Sequence, residues 1–288
     1  MMRSSQKKQG LATMYRTLKI ARRGRVANLT LNRPASRNAM SAELMREMIA
    51  CAGELAARRD IDVVLVNGAG VAFSAGADLK DARRWANEAM PLAERREIAA
   101  LGYRMARAWE ELPQITIAAI EGYAIGGGLA LAVALDWRVL AKNAFVSLPE
   151  ISLGIPLTWG TIPRLVNLLG PAKAKRLTIL CERVSAPQAL AMGLVDYAAA
   201  PGKALATARA VAAQVLTLPQ TSVRMSKETV NVYANLGAQA VSHMAHDQIQ
   251  AAVVSAEARA ARAAFLARKK PAYASAARNK AARRSRGR

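Results

Sequence analysis

Aromatic residues are scarce in this 288-residue chain, at 5% of positions, so its core must be filled by aliphatic side chains and alanine. Hydrophobic residues at 52% are enough to do that. Cysteine is scarcer still. Cys51 and Cys181 lie far apart and match no metal or redox spacing, which suits a reducing, cytoplasmic setting. The two histidines, His243 and His246, fall with Asp247 on one helix face at i, i+3, i+4, but no third ligand lies near and no metal site is expected. There is no G-x-G-x-x-G, because Gly68-Ala69-Gly70 lacks its third glycine, and there is no G-K-S/T phosphate loop. The nearest approach to G-x-S-x-G, residues 72–76, begins with alanine, and Ser74 has no histidine near it in sequence. Dinucleotide, nucleotide-triphosphate and serine-hydrolase chemistry therefore have no support. The basic N-terminus is followed by no apolar run, so it does not read as a secretory signal. The apolar stretch 115–135 contains Glu121 and three successive glycines, and reads as buried strand, turn and buried helix, with no membrane partner expected.

Acidic residues are also few: 20 against 42 basic ones, a formal net charge of +22. The excess gathers at the ends. Residues 1–24 hold Arg3, Lys7, Lys8, Arg16, Lys19, Arg22 and Arg23, and the segment 268–288 holds no acid. Such ends read as solvated and disordered. Attraction to a polyanion is the alternative, including an RNA-binding or non-catalytic role. No aromatic-interleaved basic strand or other nucleic-acid module accompanies the charge.

Strands alternate with helices as far as about residue 200, which argues an α/β core. Apolar alternation or short apolar runs predict strands at 25–31, 62–66, 115–120, 137–141, 144–148 and 195–198. Helices are expected at 42–58 behind an N-cap at Ser41, at 82–112 ended by Pro113, at 129–135, and from 161 onward with a second N-cap at Ser185. Beyond Pro201 the chain reads as Ala-rich helix to about 266, broken at Pro219. That third has too few large apolar residues for a core of its own, so it packs on the rest or on another subunit.

Two segments are built for close backbone approach: Phe73-Ser74-Ala75-Gly76-Ala77-Asp78-Leu79-Lys80, and Gly122-Tyr123-Ala124-Ile125-Gly126-Gly127-Gly128. Each follows a predicted buried strand, and the second opens a helix whose free N–H groups suit an oxyanion. Alone, either is a tight turn. With Leu31-Asn32-Arg33-Pro34-Ala35-Ser36-Arg37-Asn38-Ala39-Met40 before them and Pro149-Glu150-Ile151-Ser152-Leu153-Gly154-Ile155-Pro156 after them, the ordered set resembles the crotonase (enoyl-CoA hydratase/isomerase) superfamily.

The resemblance implies a ββα spiral core over 25–200, a helical trimerisation region over 201–267 and a trimer or dimer of trimers, with residues 1–24 as a basic extension and first strand and 268–288 as a basic disordered tail. It implies an acyl-CoA substrate, no permanently bound cofactor, and coenzyme A arriving as part of the thioester. By motif position the amides of Ala77 and Gly127 form the oxyanion hole. Ala75, Asp78, Leu79 and Lys80 flank the coenzyme's path, and Ala35, Ser36 and Arg37 its entrance. Acyl-pocket residues are expected mostly from 85–97. Hydratases of the family use two glutamates around a water. One position is kept as Glu150, and the other is Ala130. One carboxylate suits a single-proton shuttle of the isomerase type, while water addition needs a base for water and an acid for carbon. Hydration without the first glutamate is the alternative. Thr158 and Trp159 also stand where hydratases often have small residues.

Overall fold

The computed structural model describes residues 15–81 and 90–267. Two sheets share the core. In the larger, strands run in the order β1 (Leu18–Arg23), β2 (Val26–Leu31), β3 (Val63–Gly68), β4 (Ile115–Ile120), β6 (Trp137–Ala141) and β9 (Tyr197–Ala199). Only the β1–β2 hairpin is antiparallel. The smaller sheet joins β5 (Tyr123–Ile125), β7 (Phe145–Ser147) and β8 (Arg183–Ser185). From β4 on, the chain lays a strand in the large sheet and then one in the small sheet, β4 with β5 and β6 with β7. This is the expected α/β spiral.

The apolar runs of β3 and β4 reflect burial on both faces. Val64, Val66, Ala118 and Ile120 face the main core, which also takes α1 (Ala42–Ala56) and α2 (Leu92–Glu110). Val63, Leu65, Ile115 and Ile117 face the opposite way, onto Ala204, Ala208, Val211 and Val215 of α6 (Ala204–Leu216). Helix α1 begins where Ser41 Oγ accepts the Leu44 N–H, and buries Leu44, Met45, Met48, Cys51 and Leu55 on one stripe. Burial pushes the Cys51 thiol up to about 12, which makes it an inert core residue. Trp109 on α2 donates its indole N–H to the Met48 carbonyl and joins the two helices.

Several expectations need correction. The glycine-opened helix, α3 (Gly127–Ala132), starts at Gly127 and not at 129. The last strand of the large sheet lies at 197–199, two residues beyond its expected start. Helix α2 starts at Leu92 behind Pro91, with Met90 and Pro91 outside the helix, contrary to expectation, and residues 82–89 of the expected helix lie outside the described residues. Helix α4 (Thr161–Ile179) breaks at Gly170 (φ 73°) before Pro171, and α5 (Ala186–Met192) follows a full capping box between Ser185 and Gln188. Among the described residues the C-terminal third is five helices: α6, α7 (Gln220–Ala234), α8 (Ala238–Ser242), α9 (Ala245–Val253) and α10 (Ala256–Leu266). No described helix is long and apolar enough to cross a membrane.

Helix α7 docks by charge. Arg224 reaches Asp62 at 3.0 Å, and Lys227 reaches Asp136 at 2.7 Å and the Gln114 carbonyl at 2.8 Å. Burial alone would raise the Asp62 carboxyl, yet hydrogen bonds from Arg25 and Arg224 hold it below the ordinary value. Burial pushes Lys227 down, and Asp136 opposes that shift. Removing the ammonium leaves the half-buried Asp136 carboxylate with only its Thr116 donors, so Lys227→Ala should cost about 1–3 kcal/mol in urea unfolding. A change below about 0.5 kcal/mol would show that the pair does not hold the helix.

Candidate active site

Three chain segments converge at one end of the two sheets. The loop after β3 enters between the other two. On one side, an isolated parallel bridge pairs Ser74 with Ala124, with Ser74 N–H donating to the Tyr123 carbonyl (3.2 Å) and Ile125 N–H to the Ser74 carbonyl (3.0 Å). On the other side, a parallel bridge pairs Ala77 with Met40. In that bridge Met40 N–H donates to the Gly76 carbonyl at 2.7 Å and Asp78 N–H to the Met40 carbonyl at 3.2 Å. The pattern uses the neighbours of Ala77 and turns the amide of Ala77 itself away from Met40.

The glycines make this crossing possible. Gly76 (φ 87°) lies so close to the second segment that a β-carbon there would sit 2.6 Å from the Ile125 carbonyl oxygen and 3.3 Å from the Gly127 nitrogen. Gly126 (φ 53°, ψ −120°) turns the chain out of β5 and into α3. Gly127 is the first residue of that helix, so its N–H has no carbonyl one turn earlier to donate to. Among the described residues neither the Ala77 nor the Gly127 amide has an acceptor. Both line one small cavity, with Ala130, Glu150, Trp159 and Ile249.

Glu150 opens a short 3-10 turn, Glu150–Leu153, that closes at Gly154 (φ 71°). Its carboxylate is half-buried and lies against Gly126, where a β-carbon would come within 2.6 Å of Oε1. Ala130, one turn into α3, is buried and offers the cavity only a methyl group. The carboxylate and the two amides expected from sequence are thus brought together, and the position of the second expected carboxylate is occupied by carbon. Neither histidine joins them. The expectation of one shared helix face is corrected: His243 sits in the turn between α8 and α9, while His246 lies beside Arg96 and Asp247 where α9 meets α2, and no group of three potential metal ligands exists among the described residues.

The residues expected along the coenzyme's path form a ledge beside this cavity. Pro34–Ser36 makes a 3-10 turn ended by Arg37 in the left-handed region (φ 54°), and Ala75 N–H donates to the Arg37 carbonyl at 2.9 Å. Ala35, Arg37 and Lys80 are exposed, and Ser36 and Ala75 are half-buried. Leu79 turns inward onto the buried pair Leu153 and Ile155, on which Val253 also packs. The Asp78 carboxylate braces the ledge, accepting from Arg33 Nη1 at 2.9 Å and from Lys80 N–H at 3.1 Å.

Sequence reasoning passed over three contributors. Asn38, fully buried at φ 54°, donates to the Ala69 and Ala72 carbonyls (2.9 Å each) and accepts from Arg33 N–H (2.9 Å). Ser74 is a scaffold residue and not a nucleophile. Its hydroxyl donates to the Asn38 carbonyl (2.8 Å) and accepts from Gly76 N–H (3.1 Å). Ile249 comes from α9, which folds back over the cavity of its own chain. Asp247 pairs with Arg96 on α2 at 2.6 Å, and Gln250 donates to the Arg95 carbonyl at 3.3 Å. Helix α10 follows, and Ala258 packs so tightly on Gly154 that a β-carbon there would come within 2.5 Å. A left-handed asparagine in the first motif was the one available sequence signal. Nothing in the Ala-rich tail marked Ile249. Ser74→Ala leaves the buried Gly76 amide without its acceptor and should cost about 1–3 kcal/mol in chemical unfolding. Unchanged stability would show that the loop does not depend on it.

The family model for enoyl-CoA hydratase/isomerase matches residues 21–276. The chain is 33% identical over 213 residues to a short-chain-enoyl-CoA hydratase from Clostridium acetobutylicum, covering 74% of this chain and 80% of that protein. It is 31% identical over 218 residues to a crotonyl-CoA hydratase from Syntrophomonas wolfei, covering 75% and 82%. Among solved structures, an enoyl-CoA hydratase from Mycobacterium avium subsp. paratuberculosis superposes with a TM-score of 0.79 at 25% identity, covering 88% of this chain and 97% of that one. DspI from Pseudomonas aeruginosa superposes with a TM-score of 0.71 at 28% identity, covering 93% and 99%.

Proposed function

The chain belongs to the enoyl-CoA hydratase/isomerase family, and on that premise we propose that its site shuttles one proton on a bound thioester enolate, as an enoyl-CoA isomerase does. The thioester carbonyl accepts from the Ala77 and Gly127 amides, which are aimed before the substrate arrives. Negative charge growing on that oxygen strengthens both bonds, and one such donor is typically worth about 10²–10³ in rate. Glu150 removes the proton alpha to the carbonyl of a 3-enoyl thioester. The electrons spread over a dienolate, and the resulting carboxylic acid returns the proton to the gamma carbon. The double bond moves into conjugation and the carboxylate is regenerated, so atoms and charge balance with no water consumed.

The observation that carries this reading is the pairing of Glu150 with the Ala130 methyl in one cavity. A second reading, water addition, draws support from the names of the relatives, both hydratases. It requires a group to hold and deprotonate water, and Ala130 cannot accept a proton.

The oligomer belongs to the same proposal. Lys227 is the one buried residue of α7, while Met225, Val230, Val232 and Tyr233 are exposed on it. Leu236 and Val241 extend the apolar surface. A helix tied down by ion pairs and bare of apolar cover fits a homo-oligomeric contact, a trimer or a dimer of trimers. Of the basic ends proposed for nucleic acid, 1–24 and 268–288, residues 1–14 and 268–288 lie outside the described residues. The expectation of a disordered end is corrected for the rest, because Lys19, Arg22 and Arg23 lie on β1, and Arg16 and Arg22 pair with Glu43 and Asp60.

Offered 3-hexenoyl-CoA and crotonyl-CoA in parallel, the enzyme should form the conjugated product from the first and hydrate the second slowly. Glu150→Gln should keep acyl-CoA binding while losing most turnover. Rapid hydration of crotonyl-CoA would contradict the single-carboxylate mechanism.

A further inference from the structure

Trp159 sits in a conformation that a bulky residue adopts at a cost. Its φ is 64°, in the left-handed region, and it is 4% exposed. Two glycines accommodate the ring. A β-carbon on Gly127 would overlap the six-membered edge of the indole, and one on Gly102 would overlap the Cε2–Nε1 edge. Gly102 lies inside α2, where glycine costs about 1 kcal/mol relative to alanine. That helix interior is notched where the indole is seated. The backbone is fixed as well. Arg164 Nη1 donates to the Trp159 and Gly160 carbonyls at 2.9 and 3.1 Å, while Glu110 of α2 holds the same guanidinium with two hydrogen bonds of 2.8 and 2.7 Å.

The ring therefore lies against the Gly127 backbone, beside the amide that would receive the thioester carbonyl. The acyl chain must run from that carbonyl past Glu150, because Glu150 has to reach its alpha carbon. The described residues leave a cavity there of about 30 Å³, bounded by Ala130, Leu157, Trp159 and Ile249. That is room for about two or three water molecules. A small shift of Ile249, carried on α9, can admit a few carbons. A long chain would have to displace an indole held on both edges and at its backbone.

We infer that Trp159 is the specificity-determining wall of the acyl pocket and confines this enzyme to short-chain acyl-CoA thioesters. The inference rests on the placement of the carbonyl proposed above. It is tested by binding, which needs no turnover. Calorimetry with butyryl-CoA, decanoyl-CoA and free coenzyme A should show the wild-type protein binding butyryl-CoA at least tenfold more tightly than decanoyl-CoA. Trp159→Leu should shift that ratio toward decanoyl-CoA by tenfold or more, in the range that pocket volume controls. Gly102→Ala should push the indole into the site and weaken butyryl-CoA tenfold or more, and adding Trp159→Leu to it should restore binding. That pair keeps the test available if one single variant folds poorly. Equal wild-type affinity for the two thioesters, or a Trp159→Leu variant with an unchanged ratio, would overturn the inference. If neither thioester bound better than free coenzyme A, the carbonyl placement would fail and the inference with it. Slow isomerisation with the chain-length ratio intact would count against the proton-transfer reading alone and would support the wall.

Discussion

An amide N–H with no acceptor in its own chain must be met by water or by a ligand, and among the described residues this fold aims two into one cavity at the crossing of two strand ends. The Ala77 amide is left over because its bridge to Met40 uses the groups on either side of it. The Gly127 amide is left over because a helix begins there. Much of the surrounding structure serves to hold these two together. Gly76 lets the backbones touch, Gly126 leaves room for the Glu150 carboxylate, and Ser74 and Asn38 tie the loop from behind. Donors fixed in advance need no reorganisation when charge develops on a bound oxygen, which is where their stabilising effect comes from.

The C-terminal third follows two separate physical logics. Its first helix, α6, covers the outer face of the large sheet with alanine and valine, so β3 and β4 can be apolar on both faces. Its last helices, α9 and α10, return to the site and close it with Ile249 and with the Gly154–Ala258 contact. Between them, α7 is fastened by Arg224 to the buried Asp62 and by Lys227 to the half-buried Asp136, and leaves its apolar side uncovered. The region expected to pack on the rest of the chain or on another subunit thus also forms part of the chain's own cavity wall.

The sequence was informative where a local rule acts alone. Ser41 caps its helix as expected, the run at 115–120 is a strand to the residue, and the four motifs lead to Glu150, Ala77 and Gly127 in one cavity. It was silent where the determinant is long-range. Strands β5 and β8 have three residues each, too few to show a period, and exist because β7 lies between them. Glu121 looked like an idle acid. Its carboxylate caps α6 through the Gly202 and Ala204 amides, over eighty residues away in sequence. Trp159 was visible only as an oddity of composition, because its role depends on a notch at Gly102, which nothing near it in sequence records. Ile249 was invisible for the same reason.

The central claim is that two backbone amides polarise one thioester carbonyl independently of the carboxylate that moves the proton. The direct measurement is the infrared stretch of butyryl-CoA labelled with ¹³C at the carbonyl, bound to the wild-type protein and to Glu150→Gln. Fixed donors at Ala77 and Gly127 predict a stretch at lower frequency than that of the thioester in water, equally in both proteins. A bound frequency at or above the aqueous value would show that the two amides do not hold the carbonyl.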